Sequence, residues 1–303
     1  MAISHLLALG AALSWTLAGL FSHQVVLRFG SLHFNRMRML AAAFLLLIMI
    51  TITGGEFRLP AVFWLPVLAS AIIGVVLGDY FLFVAMRRLG PRRTAILFAG
   101  NAPIAAILSW LFLEEILSLL QILAILIGFA GICFAIIYGK RRDLLHIWEA
   151  ITPPLWIGLA AGLFAATGQA VGVLILRPVM AAGADPLLVG LIRVSIAGLL
   201  FWISWPFDRK KSDHPLFPDL KMSFLILANG FFGLSFGAFL LLKALETGAV
   251  AQVAILSSMS PVMILPFVWY KTGKCPAWGA WLGVLLVTLS TLWLQFSTFL
   301  PKC

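Results

Sequence analysis

The chain has 303 residues, of which 62% are hydrophobic and only 11% charged, and its mean hydropathy is +1.08. A soluble fold of this size would lack the polar surface to cover itself, so the composition predicts a polytopic membrane protein. The formal net charge of +10 is spread over short segments beside apolar runs. That distribution excludes a nucleic-acid-binding face and fits membrane orientation instead.

Runs of roughly 18 or more mostly apolar residues fall at 3–27, 32–53, 61–86, 91–112, 116–138, 154–181, 186–205, 221–245, 249–270 and 277–298. The expected fold class is therefore all-α, an integral membrane protein of ten transmembrane helices. The first run is longer than a signal-peptide core and has no basic residue ahead of it, so it is expected to remain as a helix. Segment 141–153 follows Lys140 and carries Leu144, Leu145, Ile147, Trp148 and Ile151. It reads either as an interfacial helix or as a solvated linker. The polar segment FDRKKSDHPLFPDL, at 207–220, reads as a loop. Cys133, Cys275 and Cys303 have no pair spacing, which argues against a disulfide framework or a thiolate metal site.

One stretch occurs twice. GVVLGDYFLFVAMRRLGPRRTAILFAGNAP, from Gly74 to Pro103, returns as GLSFGAFLLLKALETGAVAQVAILSSMSP, from Gly233 to Pro261. The copies pair Gly74 with Gly233, Gly78 with Gly237, Ala85 with Ala244 and Pro103 with Pro261. In each, two glycines four apart open a close-packed helix face, and a second apolar helix contains a bending proline. RMLAAAFLLL from Arg38 likewise matches RVSIAGLLFW from Arg193, and AALSW ending at Trp15 lies over AAGLF ending at Phe164. The expected organisation is a first five-helix repeat over 1–140, a linker over 141–153 and a second repeat over 154–303. Because five is odd, the second repeat enters the membrane with the opposite sense, giving the two inverted five-helix repeats of many secondary transporters.

Trp15 in LSW, Arg38 and Arg193 opening the second and seventh spans, Gly74 and Gly78 with Ala85, and Pro103 followed by SWLFLEE ending at Glu115 form a pattern. It resembles the ten-helix EamA-type branch of the drug/metabolite transporter superfamily over essentially the whole chain. The resemblance implies an exporter of small metabolites with both termini in the cytoplasm. Two features depart from it. TGK with Lys274 stands where a partner to Glu115 would be. Fourteen lysines and arginines lie in loops after odd-numbered spans and four on the other side with the termini. By the positive-inside rule this places both termini outside the cytoplasm.

Ionisable groups within spans are costly, about 2.5 to 3.5 kcal/mol each at mid-helix, so they mark candidate sites. Asp79 lies about 12 Å from the end of the third span and Arg38 about 9 Å from the same face, at 1.5 Å per residue. They are placed to pair, either as a structural ion pair or as a proton- or cation-handling carboxylate with its balancing charge. Arg193 either binds an anionic group from a cavity or snorkels to the headgroups. Asn101, two residues before Pro103, and Gln169 in TGQAVG are candidate cavity-lining residues or interhelical hydrogen-bonding groups. Trp15 and Tyr80 are candidates for an aromatic wall. Gly233-Leu-Ser235-Phe-Gly237 matches GxSxG, but it sits inside a continuous apolar helix and no later span holds a histidine, so catalysis is not expected. No HExxH, P-loop or aspartate-rich run is present, so no metal and no cofactor are expected.

The expected function is secondary transport by alternating access: export of small metabolites such as amino acids or related zwitterions and anions, proton-coupled or not. The setting is multi-pass in the cell (cytoplasmic or inner) membrane. Its partners would be a small-molecule substrate and membrane lipids, not nucleic acid, and the protein would act as a monomer or homodimer. The alternative is a lipid-handling, flippase-like membrane protein.

Overall fold

A computed structural model describes residues 2–55, 57–115, 117–138, 154–204, 218–260, 262–263, 267, 270 and 278–297. The linker 141–153, most of the loop 207–220, and Pro261, Lys274, Cys275 and Cys303 lie outside these. Among the described residues every regular element is helical. In chain order they are α1 (Ala2–Thr53), α2 (Ala61–Ser70), a π-helical segment (Ala71–Leu77), α3 (Gly78–Ala99), α4 (Asn101–Leu113) and α5 (Leu119–Tyr138). Then come α6 (Leu155–Ala181), α7 (Pro186–Ile203), α8 (Leu220–Asn229), a second π-helical segment (Gly230–Ser235), α9 (Phe236–Ala244), α10 (Val250–Ser257) and α11 (Trp278–Ser297).

Ile3–Ser22, Arg28–Thr53, Ala61–Leu89, Leu155–Ala181, Pro186–Ile203 and Leu220–Ala244 are each long and apolar enough to cross a bilayer. Leu97–Leu113, Leu119–Phe134 and Trp278–Ser290 are shorter apolar helices. Large apolar side chains such as Ile52, Leu65 and Phe112 are at least 70% exposed, which suits a lipid-facing surface and not water.

Local chemistry explains the breaks. The first two spans run together as α1, and Gly30, at φ 77°, interrupts the helix between them. At the α6–α7 junction, Ala184 N–H closes back onto Val179 O around Gly183. Asp185 then caps α7 by accepting from Leu187 N–H at 2.8 Å, and Pro186 takes the first helical position. The expected break between the third and fourth spans, near residues 87–90, differs. Helical turns continue to Ala99, and the chain bends at Gly100. Pro103 has no N–H to offer Ala99 O four residues back, so the helix gives way there.

The duplicated stretch acquires structural meaning in the π segments. They occupy matching positions in the two copies, Ala71–Leu77 with Gly74 and Gly230–Ser235 with Gly233. Each widened turn lies against another span through small residues. A Cβ on Gly74 would sit 3.2 Å from Gly172 Cα, and one on Gly233 would sit 3.5 Å from Ala18 Cβ. Ser70 Oγ donates to Gly172 O at 2.9 Å in the first contact. Ser14 Oγ donates to Phe232 O at 2.6 Å in the second. These contacts make Gly172 the counterpart of Ala18 and Gln169 the counterpart of Trp15. The alignment of Trp15 with Phe164 is therefore off by more than a turn; Phe164 is 63% exposed and stacks on Phe81.

A third close contact joins α5 to α11, where Ser290 Oγ donates to Ala124 O at 2.6 Å beside Gly128. With no water to exclude, such spans gain from close backbone packing, which only small residues allow.

A Cβ on Gly172 would stand 2.9 Å from Gly74 Cα, a backbone atom that no rotamer change can move. Gly172→Ala should therefore cost about 1–3 kcal/mol. Gly19→Ala, which meets nothing within 4 Å, should stay within about 0.5 kcal/mol. Thermal unfolding in detergent micelles compares the two; equal shifts would contradict the contact.

Candidate functional site

A cavity of about 260 Å³ lies between the spans and is lined by Trp15, Arg38, Asp79, Gln169 and Arg193, among others. Its walls come from both copies of the duplicated stretch, Gly74 to Ala99 on one side and Gly233 to Ser258 on the other. Toward one end the lining reaches Ser22, Met86 and Thr94. These lie within a few residues of Arg28, Arg87 and Arg88. Toward the other end the chain is closed by fully buried Ala8, Ala11, Ala12, Leu245 and Val250.

Arg38 is the best-connected group in the cavity. Its Nε donates to Asn35 Oδ1 at 2.9 Å, its Nη1 reaches Asn229 Oδ1 at 3.4 Å, and its Nη2 donates to Asp79 Oδ2. The guanidinium also lies 4.7 Å from the Phe83 ring centroid and 5.5 Å from that of Phe34, faces that attract a cation. Asn229 continues the network by donating from Nδ2 to Ala18 O at 2.9 Å. The ion pair with Asp79 joins α1 to α3, and Asn229 attaches α8 to both spans of α1.

Arg193 is different. It is the eighth residue of α7, 8% exposed, and its side chain lines the cavity instead of snorkelling. Its Nε is buried without a hydrogen-bond partner. Asp79 is near enough to interact with it electrostatically, but no hydrogen bond or salt bridge joins them among the described residues.

Trp15 presents its ring to the cavity while its indole Nε1 donates to Gly233 O at 2.9 Å, a carbonyl of the second π segment. Gln169 lines the opposite wall. Two expected residues stand off the lining. Tyr80 follows Asp79 by one position and is turned about 100° around the helix; it packs among Val75, Val194 and their neighbours and makes an edge contact with Phe81. Asn101 is 4% exposed, donating to Phe98 O at 2.7 Å and to Ser258 Oγ at 3.0 Å. It therefore ties α4 to the end of α10, while its neighbours Phe98, Ala99 and Ser258 reach the cavity.

Sequence reasoning missed Asn35 and Arg36. Asn35 has one available signal, its i,i+3 spacing to Arg38. Arg36 is 1% exposed and donates to Phe201 O at 2.8 Å and Ser204 Oγ at 3.1 Å, placing a cation at the C-terminal end of α7. Ser235 is fully buried, with its hydroxyl within 3.2 Å of both Ala42 O and Gly230 O. It serves the π turn and is not presented as a nucleophile.

At the closed end, Glu115, just after α4, contacts α10 and α6. Its Oε2 accepts from Val250 N–H at 3.0 Å, and Arg177 Nε lies 3.7 Å from Oε1, an ion pair longer than a hydrogen bond. His5 Nε2 donates to Gln252 Oε1 at 3.0 Å nearby in sequence. Partial burial pushes the Glu115 carboxyl above its ordinary value, against the opposing pull of the Val250 amide and Arg177.

Among the described residues, six apolar helices long enough to cross a bilayer, three shorter ones and a partly charged cavity between spans fit the general class of membrane transporter. The profile of the EamA-like transporter family matches residues 2–137 and 155–296. The chain belongs to that family. Of 29 solved chains that match, one crystal structure, described simply as a protein, superposes with a TM-score of 0.79 at 16% identity and covers 100% of both chains. At that identity it supports the fold alone. No curated protein matches the sequence.

Asp79→Asn should leave Arg38 buried without a counter-charge, at a cost of about 3–5 kcal/mol. Adding Arg38→Met should recover a large part of that loss. A double-mutant cycle on unfolding in micelles measures the coupling, and additive costs would contradict the pair.

For Glu115 the pKa is raised in the folded state, so its contribution is fully present below the ordinary value of 4.5 and is lost as pH rises through the raised value. Glu115→Gln should flatten this component in a series of unfolding temperatures against pH. An unchanged profile would remove Glu115 as its source.

Proposed function

We propose that this protein is a secondary carrier that exports small metabolites, such as amino acids or related zwitterions and anions, by alternating access. Ten spans form two inverted five-helix repeats, 1–140 and 154–303, joined by the linker 141–153. The observation that carries this reading is the cavity: Arg38, Asp79 and Arg193 line it together among apolar spans, on walls drawn in part from both copies of the duplicated stretch. Charges in such a setting are costly and mark a solute pathway.

The two π segments and the break at Gly100 support a moving part, since these are places where a helix yields locally. The cavity reaches toward the basic ends and is sealed at the end where Glu115 joins α4 to α10. With the basic side taken as cytoplasmic, the conformation is open inward, in a cell membrane with both termini outside. Trp15, Arg38, Asp79, Gln169 and Arg193 would face the solute. Tyr80 and Asn101 would support the elements around it. Asp79 is the carboxylate through which protons would couple, with Arg38 as the charge it exchanges against.

Uptake of labelled amino acids, organic anions and organic cations into proteoliposomes, with and without a pH gradient, tests this. Saturable flux accelerated by the gradient in wild type and not in Asp79→Asn is the expected outcome. Saturable flux indifferent to both makes the protein a facilitator. Absence of solute flux together with lipid scrambling would reverse the reading in favour of a lipid-handling protein.

A further inference from the structure

Among the described residues, two guanidinium groups and one carboxylate line the cavity. Arg38 has its counter-charge and uses all three of its nitrogens: Nε on Asn35, Nη1 on Asn229 and Nη2 on Asp79. Arg193 makes none of these hydrogen bonds, shares the same Asp79 without a salt bridge to it, and has its Nε buried without a hydrogen-bond partner. A guanidinium removed from water and left unneutralised is costly unless something else supplies the missing charge. Among the described residues Asp79, already paired with Arg38, is the carboxylate that acts on it electrostatically, so one positive charge of the three groups is left over.

We propose that Arg193 is the anchor for a carboxylate and that the cavity accepts organic monoanions with an apolar body. This rests on the carrier reading and narrows its substrate class. Charge balance selects the monoanion: two cations and one carboxylate leave one positive charge, which a single negative charge cancels. A zwitterion would leave that charge in place, and its ammonium group would have to take Asp79 from Arg38. A carboxylate matches the planar donor fork of arginine, which offers two parallel N–H groups to two oxygens.

The position of Arg193 fits this role. A Cβ on Gly74 would stand 3.2 Å from Arg193 Nη2, so the glycine lets the guanidinium pack directly against the α3 side of the cavity. The remaining wall is largely apolar, with Leu82, Phe83, Met86, Phe98 and Leu234 available to a ring or branched chain. At about 260 Å³ the cavity suits a body of that size.

The test uses benzoate, its neutral isostere benzamide, benzylamine and phenylalanine as probes of the purified full-length protein. Binding is read by calorimetry and by the rise in unfolding temperature. Benzoate should bind the wild type saturably and at least tenfold more tightly than the other three. Arg193→Gln should weaken benzoate at least tenfold with benzamide unchanged, and Arg193→Lys, which keeps the charge but loses the fork, should fall between. Should Arg193→Gln fail to fold, the wild-type preference for benzoate over benzamide and the loss in Arg193→Lys decide the matter. Equal binding of benzoate and benzamide, tighter binding of phenylalanine, or benzoate affinity untouched by Arg193→Lys would each overturn the proposal. Proteoliposome flux separates the two levels. Flux of zwitterions or cations independent of Arg193 overturns the anion anchor and leaves the carrier standing, whereas no flux of any solute removes both.

Discussion

An arginine and an aspartate held together among apolar spans cannot be left to water, and the arrangement around Arg38 follows from that constraint. Each end of the pair must have its partners inside the protein, because the bilayer offers none. Arg38 meets this need with Asn35 on its own helix, Asn229 on α8, Asp79 on α3 and two aromatic faces. The same contacts fix three elements relative to one another. One charged group thus organises the walls of the cavity it lines.

Close backbone packing does the complementary work. The π segments widen one turn in each copy, and in the second the carbonyls are met by side chains from α1: Trp15 donates to Gly233 O and Ser14 to Phe232 O. Ser235 meets Ala42 O and Gly230 O. Gly74 and Gly172 bring two backbones together with no side chain between them. Lipid-exposed packing gains little from apolar burial, so small residues and satisfied carbonyls carry the association. The two copies solve this with different atoms, Gly168 and Gln169 on one side where Ser14 and Trp15 stand on the other. That difference is why the cavity is asymmetric in chemistry although its walls repeat.

Much of this was legible in the residues. Hydropathy marks the apolar spans, and the GADP junction at 183–186 spells out a helix stop, a cap and a restart. The matching depths of Arg38 and Asp79 anticipate their pairing. Pro103 anticipates a bend, though it falls at Gly100 because the missing N–H is felt four residues earlier. Other features were not legible. Asn101 and Tyr80 look like cavity residues because of their neighbours, yet a rotation of 100° per residue sends each away from the lining. Nothing in the sequence distinguishes Arg36, which ends on Phe201 O and the Ser204 hydroxyl at the end of α7, from Arg38, which ends on Asp79, because the two differ only in which helix face they occupy.

Composition and periodicity depend on one chain's own transfer energetics, so they alone establish a helical membrane protein with a duplicated stretch and a few costly charges in its spans. Which charge is neutralised and which is not depends on side chains that arrive from distant spans. Arg38 and Arg193 occupy matching positions in the sequence, but only packing gives Arg38 the carboxylate on α3 and leaves Arg193 facing an open cavity. A pairwise electrostatic outcome of that kind is set by distances of a few ångströms between segments, and no reading along one strand of sequence contains them.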